Sequence, residues 1–486
     1  MSNGEAASAA QAAVAEVRSA ARSWAALSPN ERASKLKAAG SSLLQKADEL
    51  AEIVQQETGK PLAEAYSADV LNVADLFAYW CSEGPALLRP RPAKIPKLEM
   101  PGKRGEVHRL PRGVVAIIAP WNFPVAIPMR GIVPALLAGN GVVLKPSEHT
   151  PKSGRWLVEQ LRAELGPIVA VLDGAGEAGA ALIDAKPDLV LFTGSTTTGR
   201  KVAVACAERD IPVDCELGGK DCAVVLADAA VQRAANGITW GILNNAGQNC
   251  ASIERVAVHS AVADSFKQAL VERMQVAAPD VKELVTPQQK AIVTSQLKDA
   301  QERGATFLVG GLPDDPNAPI PPTVVTDLPR DAAAWKDESF GPIAVLETHG
   351  DNDALIDAAN DTTFGLGASI WSGDVDAALK LADGLDSGMV WINNHAFTGA
   401  LPDLPWVGTG ASGGGITNSP DALLHMTRPR VTLVDRSKDP EPWWYPYGET
   451  MVPLMQAVVR KQRDGGLGAL FGTLGALKKR MAELKG

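Results

Sequence analysis

Apolar residues recur at helical spacing from residue 5 to residue 80. The stretches "AAQAAVAEVRSAARSWAAL" and "NERASKLKAAGSSLLQKADELAEIVQQETGK" place apolar side chains on one face about every 3.6 positions, which predicts helices. Ser28, Pro29 and Glu31 mark the start of the second helix. A capping serine, a first-turn proline and an acid three positions on are typical of helix N-termini.

A different pattern begins after the proline- and lysine-rich connector "RPRPAKIPKLEMPGKRG". Short apolar runs alternate with helical patterns, as expected for parallel sheets covered by helices. The first runs are "GVVAIIAP", "GVVLKP", "IVAVLDG", "LVLFTGS" and "PVDCELGG". The later runs are "RVAVH", "TFLVGG", "PIAVLE", "GASIWSG" and "GMVWINN". Two α/β units that meet near residue 218 are therefore predicted.

The composition excludes several classes of protein. Hydrophobic residues make up 46% and charged residues 21% of the 486 positions, as in a soluble globular protein with more than one domain. A formal net charge of -9 argues against a general nucleic-acid-binding protein. No secretory signal is predicted at the amino-terminal stretch. Five unclustered cysteines indicate neither disulfides nor a metal site, so a cytoplasmic location is expected.

Two glycine-containing segments are candidates for phosphate binding. Residues 174–179 match G-x-G-x-x-G, but the acid expected about 20 positions further on is missing, and a tight turn is the alternative. The segment "FTGSTTTGR" is more informative, because Gly194 and Ser195 follow an apolar strand and Gly199 lies at the start of a helix. Free N–H groups at that helix end would suit a pyrophosphate.

The segment "LKPSE" places Lys145, Ser147 and Glu148 at the end of another predicted strand. A lysine and an acid at this end of a strand can reach ribose hydroxyls. Glu148 would repel a 2′-phosphate, which favours NAD over NADP. The alternative is a solvated charge pair on a loop.

Three further residues could perform chemistry together. Cys250 in "GQNC" is a candidate nucleophile, Glu216 in "CELGGK" a candidate base, and Asn122 in "APWNFP" a candidate donor to an oxyanion. Taken singly, each has an ordinary interpretation: a core thiol, a surface acid and a turn residue.

Six motifs taken together change that interpretation. The segments "PWNFP", "LKPSE", "FTGSTTTG", "ELGGK", "GQNC" and "ESFGP" occur in the order of the NAD(P)-dependent aldehyde dehydrogenase superfamily. Lys145 follows Asn122 by 23 residues and Cys250 follows Glu216 by 34, close to that family's intervals. From about residue 10 to 435, the chain resembles this family.

The resemblance implies roles for the reacting groups. Cys250 would attack an aldehyde to give a thiohemiacetal, and loss of hydride to NAD would leave a thioester. The Asn122 amide and the Cys250 backbone N–H would stabilise the oxyanion. Glu216 would activate water and release the acid. The cofactor contacts implied are Trp121, Lys145, Ser147, Glu148, Gly194, Ser195, Gly199, Glu338 and Phe340. Phe123 and Arg130 are implied on the substrate side.

The resemblance also implies the architecture. The expected α/β fold has a Rossmann-like NAD-binding domain (1–92, 112–218 and 411–427) and an α/β catalytic domain (219–410). A small β oligomerisation arm is expected at 93–111 and 428–437, followed by a tail at 438–486. A dimer or tetramer is expected.

Some features leave alternatives open. Arg130 could pair with the carboxylate of a semialdehyde, but Asn244 stands where such relatives commonly have a second arginine. The alternative for Arg130 is a helix-surface or structural arginine. The segment "PWVGTGASGGG" departs from the family's P-F-G-G-x-K-x-S-G, and we expect it to affect packing and assembly rather than chemistry. Acyl transfer to coenzyme A is disfavoured by Glu216, and a catalytically silent relative by the set of retained residues.

The final residues predict one more helix. After the strand-like and aromatic stretch "RPRVTLVDRSKDPEPWWYPYG", the segment "GLGALFGTLGALKKRMAELKG" combines an apolar stripe with basic residues. Packing on a neighbouring subunit or near a substrate entrance is the first interpretation. Contact with a membrane surface is the second.

Overall fold

The computed structural model describes residues 2–97, 100 and 102–485. These form two compact units, Met1–Arg89 with Arg109–Arg428 and Pro90–His108 with Pro429–Gly486. The α-helices are α1 (Asn3–Ala26), α2 (Pro29–Leu44), α3 (Ala47–Thr58), α4 (Leu62–Glu64), α5 (Leu71–Leu87), α6 (Ala126–Leu137), α7 (Pro151–Leu165), α8 (Gly176–Asp184), α9 (Thr196–Ala207), α10 (Val231–Leu243), α11 (Ala263–Ala277), α12 (Pro287–Glu302), α13 (Ala333–Lys336), α14 (Asn352–Asn360), α15 (Val375–Ala382), α16 (Ser419–His425), α17 (Met451–Asp464) and α18 (Gly466–Lys485).

The strands confirm the predicted α/β class. They are β1 (Arg91–Pro92), β2 (Lys103–Pro111), β3 (Val114–Ile118), β4 (Gly141–Lys145), β5 (Val169–Val171), β6 (Leu189–Thr193), β7 (Val213–Glu216), β8 (Asp221–Val225), β9 (Ile253–His259), β10 (Thr306–Val309), β11 (Thr323–Thr326), β12 (Ile343–His349), β13 (Phe364–Gly365), β14 (Gly367–Trp371), β15 (Met389–Ile392), β16 (Trp406–Val407), β17 (Thr409–Gly410), β18 (Ile416–Thr417) and β19 (Thr427–Asp435).

The helical start of the chain agrees with its sequence pattern. Ser28 caps α2, its side chain accepting from the backbone of Glu31 while the Glu31 carboxylate accepts from the backbone of Ser28. Between α4 and α5, residues Ala65–Val70 form a π-helical turn, a distortion that is frequent at functional sites. The sequence pattern did not predict this turn.

The first sheet is parallel, with strand order β5-β4-β3-β6-β7. Every residue of β3 and β4 is buried, because helices cover both faces. The chain enters the sheet at the central strand β3, adds β4 and β5 on one side, and then adds β6 and β7 on the other. This is the order of a doubly wound sheet, whose ligand crevice lies where the strand order reverses. That point is at the carboxyl ends of β3 and β6, where "APWNFP" and "TGS" begin.

The second sheet has the order β10-β11-β12-β9-β8-β14-β15 and is parallel except for the pair β10 and β11. The sequence analysis missed β8 and β11. β8 is a central strand with no exposed residue, and its first residue, Asp221, is polar but buried. Leu217–Lys220 connect β7 to β8, so the "ELGGK" segment joins the two sheets.

The smaller unit contains β1 paired with β2 and, after β19, the helices α17 and α18. The predicted final helix is confirmed as α18, whereas α17 was not predicted. Leu98, Glu99 and Pro101 of the expected arm lie outside the described residues. No helix within the described ranges is long and apolar enough to cross a membrane.

Candidate active site

Cys250 follows a sharply bent loop that leaves α10. Asn245, Ala246 and Gly247 have φ angles of 55°, 54° and 74°, in the left-handed region that non-glycine residues rarely adopt. A Cβ at Gly247 would collide with the carbonyl of Gly341, so glycine is required by space as well as by φ. The loop therefore needs support from its surroundings.

That support comes from side chains distant in sequence. The backbone N–H of Asn245 donates to Glu64 Oε2 at 2.9 Å. Its side-chain Nδ2 donates to the carbonyls of Asn122 at 3.0 Å and Gln248 at 3.1 Å. Val285 donates its backbone N–H to Gln248 Oε1 at 2.9 Å. The loop that positions Cys250 is thus fixed by segments from several parts of the chain.

A buried ion pair holds the loop that carries Asn122. Lys60 and Asp69 lie 3.1 Å apart with almost no exposed side-chain area. Lys60 Nζ also donates to the Asn122 carbonyl at 2.8 Å, and Asp69 Oδ1 accepts the backbone N–H groups of Val125 and Ala126. Because a buried charge is costly without partners, this pair fixes the loop strongly.

The Asn122 side chain faces the Cys250 loop. Its Nδ2 donates to the Gln248 carbonyl at 3.0 Å, and Nδ2 carries two hydrogens, so a second donor remains beyond that bond. Asn122 and Cys250 line the same cavity. This placement is compatible with the predicted oxyanion contact.

Two cavities meet at Cys250. The strand-end cavity, about 250 Å³, is lined by Pro120, Trp121, Asn122, Ile127, Thr193, Gly194, Ser195, Leu217, Gly218, Cys250, Gln289, Ile292, Glu338 and Phe340. The aromatic cavity, about 220 Å³, is lined by Phe123, Arg130, Glu216, Trp240, Asn244, Asn249, Cys250, Phe397, Trp406 and smaller residues. The thiol can therefore contact molecules in both cavities.

Glu216 ends β7 and is buried in the aromatic cavity. Trp406 Nε1 donates to its Oε1 at 2.8 Å. Burial raises the pKa of Glu216 to about 7, although the Trp406 hydrogen bond and the Arg130 charge act to lower it. A carboxyl group with this pKa can take up or release a proton near neutral pH.

Glu338 and Phe340 are held in the strand-end cavity by a buried network. Glu254 accepts from Lys220 Nζ at 2.5 Å and from the backbone N–H groups of Ser339 and Phe340 at 2.7 and 2.8 Å. Glu338 Oε1 accepts from Gly219 N at 3.0 Å, and the Phe340 ring meets the Trp121 ring edge to face at 5.5 Å. Burial, then the charge of Glu254, raises the pKa of Glu338 to about 8.

The two glycines of "ELGGK" allow close approach in this region. A Cβ at Gly218 would collide with the Glu338 carboxylate, and one at Gly219 with the Cys250 carbonyl. Neither glycine has a positive φ, so space rather than turn geometry requires them here.

The charges around Cys250 oppose ionisation of its thiol. Burial, followed by the negative charges of Glu216 and Glu338, raises the pKa of Cys250 well above its usual range, and Arg130 acts in the opposite direction. The thiol is therefore mostly protonated at neutral pH.

The remaining predicted cofactor residues lie along the carboxyl ends of the first sheet. Ser195 caps α9, accepting from the Thr198 N–H at 3.3 Å, so the helix begins at Thr196, three residues before the predicted start at Gly199. Lys145 Nζ and Glu148 Oε2 form an ion pair at 3.1 Å. Partial burial acts to raise the pKa of Glu148, but its own backbone N–H and Lys145 leave it below the usual value. Lys145, Ser147, Glu148 and Gly199 are not among the residues that line the two cavities.

The predicted substrate-side residues do line the aromatic cavity. Phe123 lies under Lys60, whose Nζ is 4.4 Å from the ring centre. Arg130 Nη2 donates to the Gly399 carbonyl at 2.7 Å, and the guanidinium lies 5.3 Å from the Trp406 ring centre. Asn244 lies on the same cavity wall. Arg130 is thus not a helix-surface arginine, because its terminal nitrogen is already bonded inside the protein.

Several residues of the site were missed by the sequence analysis. The segment "PWVGTGASGGG" was expected to affect packing and assembly rather than chemistry, and the hydrogen bond from its Trp406 to Glu216 was not predicted. An unusual tryptophan in that segment was the available signal. Lys60, Asp69 and Glu254 gave no local signal, since their contacts with Asn122, Val125 and Phe340 span 56 residues or more.

The chain is similar to known proteins along most of its length. Residues 2–432 match the model of the aldehyde dehydrogenase family. The 4,4'-diapolycopene aldehyde oxidase of Methylomonas sp is 37% identical over 439 residues, covering 88% of this chain and 82% of that protein. The chloroplastic betaine aldehyde dehydrogenase of Amaranthus hypochondriacus is 33% identical, with 88% of each chain covered. A solved structure of the P. syringae indole-3-acetaldehyde dehydrogenase AldA with NAD+ and IAA has a TM-score of 0.83 at 31% identity, covering 88% of this chain and 89% of that one.

The effect of Glu216 on the Cys250 thiol can be measured directly. The Glu216→Gln variant removes a negative charge that raises the thiol pKa. At a pH below the thiol pKa, each unit by which that pKa falls gives about tenfold more thiolate. Alkylation of Cys250 by iodoacetamide should therefore become several-fold faster in the variant. Peptide mass spectrometry measures the rate. Glu302→Gln, at an exposed position on α12, should leave the rate unchanged. An unchanged rate in Glu216→Gln would contradict the electrostatic coupling.

Proposed function

This chain belongs to the aldehyde dehydrogenase family, and we propose that it oxidises an uncharged aldehyde to the carboxylic acid with NAD, by way of a thioester on Cys250. The observation that supports this most is the position of Cys250, at the junction of one cavity at the strand ends and one that contains Glu216. A nucleophile there can react with a molecule on one side while an electron acceptor lies on the other.

In the proposed first step, the Cys250 thiol releases its proton to solvent, and the sulfur attacks the aldehyde carbon as the thiolate. The carbonyl oxygen becomes an oxyanion, which accepts hydrogen bonds from Asn122 Nδ2 and from the Cys250 backbone N–H. Arg130 is the cation that favours the thiolate electrostatically, because it acts to lower the pKa of Cys250. The product of the step is a thiohemiacetal bound to the protein.

The strand-end cavity fits a flat nicotinamide ring and the phosphates that follow it. Trp121 and Phe340 form its aromatic walls, the capped start of α9 offers backbone N–H groups, and the glycine at 194 leaves that turn open. Lys145, Ser147 and Glu148 would hold the adenosine ribose, and Glu338 the nicotinamide ribose. Bound there, NAD would supply a hydride acceptor. Loss of a hydride, a hydrogen with two electrons, from the thiohemiacetal carbon leaves a thioester. The ionised Glu148 favours NAD over NADP.

Release of the product requires water and a base. Glu216 takes a proton from water in the aromatic cavity, the oxygen of that water attacks the thioester carbon, and the C–S bond breaks. The acid leaves, and the sulfur, released as a thiolate, takes the proton from Glu216 and becomes a thiol again. Trp406 is a positioning residue in this step, since its N–H orients the carboxylate and favours the charged form of Glu216.

The substrate proposed is uncharged, because aromatic rings line its cavity. Trp240 and Phe397, which lie on its wall, are 50% and 56% exposed, as expected near a cavity mouth. The semialdehyde alternative depends on Arg130, whose buried Nε has no hydrogen-bond partner within the described part of the chain. That atom is withdrawn from the cavity surface, and Nη2 is already bonded. A related protein is named for 4,4'-diapolycopene aldehyde, which supports an apolar substrate.

The assembly and location proposed follow the same family. A homo-oligomer would form through the arm at 93–111 and 428–437, where β19 exposes most of its residues. The domain division at residue 218 and the return at 411–427 belong to this proposal. Five free cysteines are compatible with a reducing cytoplasm.

The proposed reaction predicts that Cys250→Ala loses activity. NADH formation from propanal or benzaldehyde should fall by about a thousandfold or more, because no other group can hold the acyl intermediate. The Cys81→Ala variant is the matched control and should keep wild-type rates. Acid should form without coenzyme A. Activity in Cys250→Ala comparable to wild type, or a requirement for coenzyme A, would contradict the proposal.

The role of Trp406 predicts a change in pH dependence. Phenylalanine keeps the ring but removes the N–H that lowers the Glu216 pKa, so that pKa should rise further above about 7 in Trp406→Phe. Glu216 acts as its carboxylate, so the acid limb of the kcat profile should move to higher pH, by about half a unit to one unit. Trp391→Phe removes an N–H bonded to Thr398 and should leave the profile in place. Superimposable profiles for wild type and Trp406→Phe would refute this role.

The substrate proposal predicts discrimination against a carboxylate. The kcat/KM for the methyl ester of succinic semialdehyde should exceed that for the free acid by about tenfold or more, since moving a carboxylate from water into an aromatic-lined cavity costs free energy. The two compounds have the same aldehyde and carbon backbone, and they differ in the charge of the carboxyl end and in one methyl group. A preference for the free acid that disappears in Arg130→Met would establish the semialdehyde alternative instead.

A further inference from the structure

The smaller unit contains a helical hairpin, α17 and α18, that lies beyond the family match at 2–432. The helices pack together, and Thr473 Oγ1 donates to the Ala457 carbonyl at 3.1 Å. The preceding segment, 442–447, is fixed by Arg480, whose buried guanidinium donates to the carbonyls of Pro442, Trp444, Pro446 and Tyr447 at 2.7–2.8 Å. This segment is therefore an ordered part of the hairpin.

The ordered hairpin exposes an unusual amount of apolar surface. Trp444 is 55% and Tyr445 80% exposed, although Arg480 holds their backbone in place. Among the described residues, nine of the 24 exposed large hydrophobic side chains lie within 443–471, a small part of the chain: Trp443, Trp444, Tyr445, Tyr447, Val452, Met455, Val459, Leu467 and Phe471. Such a concentration of apolar side chains on a water-exposed surface indicates an interaction site.

The exposed side chains follow the helical repeat. Val452, Met455 and Val459 are spaced by three and four residues, so they share one face of α17. Leu467 and Phe471 are spaced by four on α18. Each helix therefore has an apolar stripe that the hairpin itself does not cover.

The charge of the hairpin is opposite to that of the whole chain. Residues 451–485 contain seven Lys or Arg and two Asp or Glu, whereas the complete chain has a formal net charge of -9. A second copy of the hairpin would have the same excess of positive charge, so pairing of two hairpins through these faces is opposed by repulsion. The favoured partner is an apolar surface with negative charge.

We propose that this hairpin and the aromatic segment 443–447 bind the surface of an anionic lipid bilayer. Tryptophan and tyrosine have apolar rings with a polar edge and suit the boundary between headgroups and acyl chains. The stripes of α17 and α18 enter that boundary while Lys478 and Lys479 contact anionic headgroups. Neither helix crosses the bilayer, because neither is long and apolar enough.

The test uses the full-length protein and two kinds of vesicle. Vesicles of phosphatidylcholine alone and vesicles rich in phosphatidylglycerol are sedimented with the protein, at low and high salt. Wild type should bind the anionic vesicles several-fold more than the neutral ones, and high salt should weaken this binding. Absence of wild-type binding to the anionic vesicles would overturn the proposal.

Two variants locate the surface. Leu467→Glu with Phe471→Glu removes apolar contacts, Lys478→Glu with Lys479→Glu reverses charges, and both should lose most of the binding. Leu379→Glu, at an exposed position on α15, is the matched control and should bind like wild type. The thermal unfolding midpoint checks that the variants fold. Equal loss of binding in the control would overturn the proposal. A change of molar mass in the hairpin variants without any effect on vesicle binding would also overturn it, because that result would indicate a contact between two copies of the chain.

Discussion

The left-handed run at Asn245, Ala246 and Gly247 is the constraint on which the site depends. Each non-glycine residue in that region costs about 1–2 kcal/mol, so the turn persists only because other groups hold it. Glu64 and the Asn122 carbonyl bind the turn, and Asn122 is itself fixed by Lys60 and Asp69. The position of one thiol thus depends on helices near the start of the chain and on two sheets further along.

Burial gives the same site its electrostatic character. Glu216, Glu338 and Cys250 all have raised pKa values, because each is withdrawn from water. Neighbouring acids raise the pKa values of Glu338 and Cys250 further. The resting site therefore contains less charge near neutral pH than its residue types suggest. Trp406 and Arg130 act against this trend at Glu216, so the balance at that carboxyl group is set by two residues that also touch each other.

Local pattern predicted the helices before residue 80, the strands of the first sheet and the loops that carry Asn122, Glu216 and Cys250. These features depend on periodicity and on motifs of a few residues. β8 was missed because a short strand buried on both faces has no alternation, and it begins with a buried aspartate. The contact of Lys60 with Asn122 and that of Trp406 with Glu216 could not be predicted, since they depend on side-chain directions between segments that only the tertiary fold brings together.

The junction of the two cavities at Cys250 affects how molecules enter and leave the site. The aromatic cavity has half-exposed Trp240 and Phe397 on its wall, and the strand-end cavity has exposed Ile292, so each has its own boundary with solvent. In the proposed reaction, an acyl group on Cys250 would occupy the aromatic cavity and leave the strand-end cavity open. The reduced cofactor and the acid could then leave independently, so a bulky or slowly hydrolysed acyl group would not prevent exchange of the cofactor.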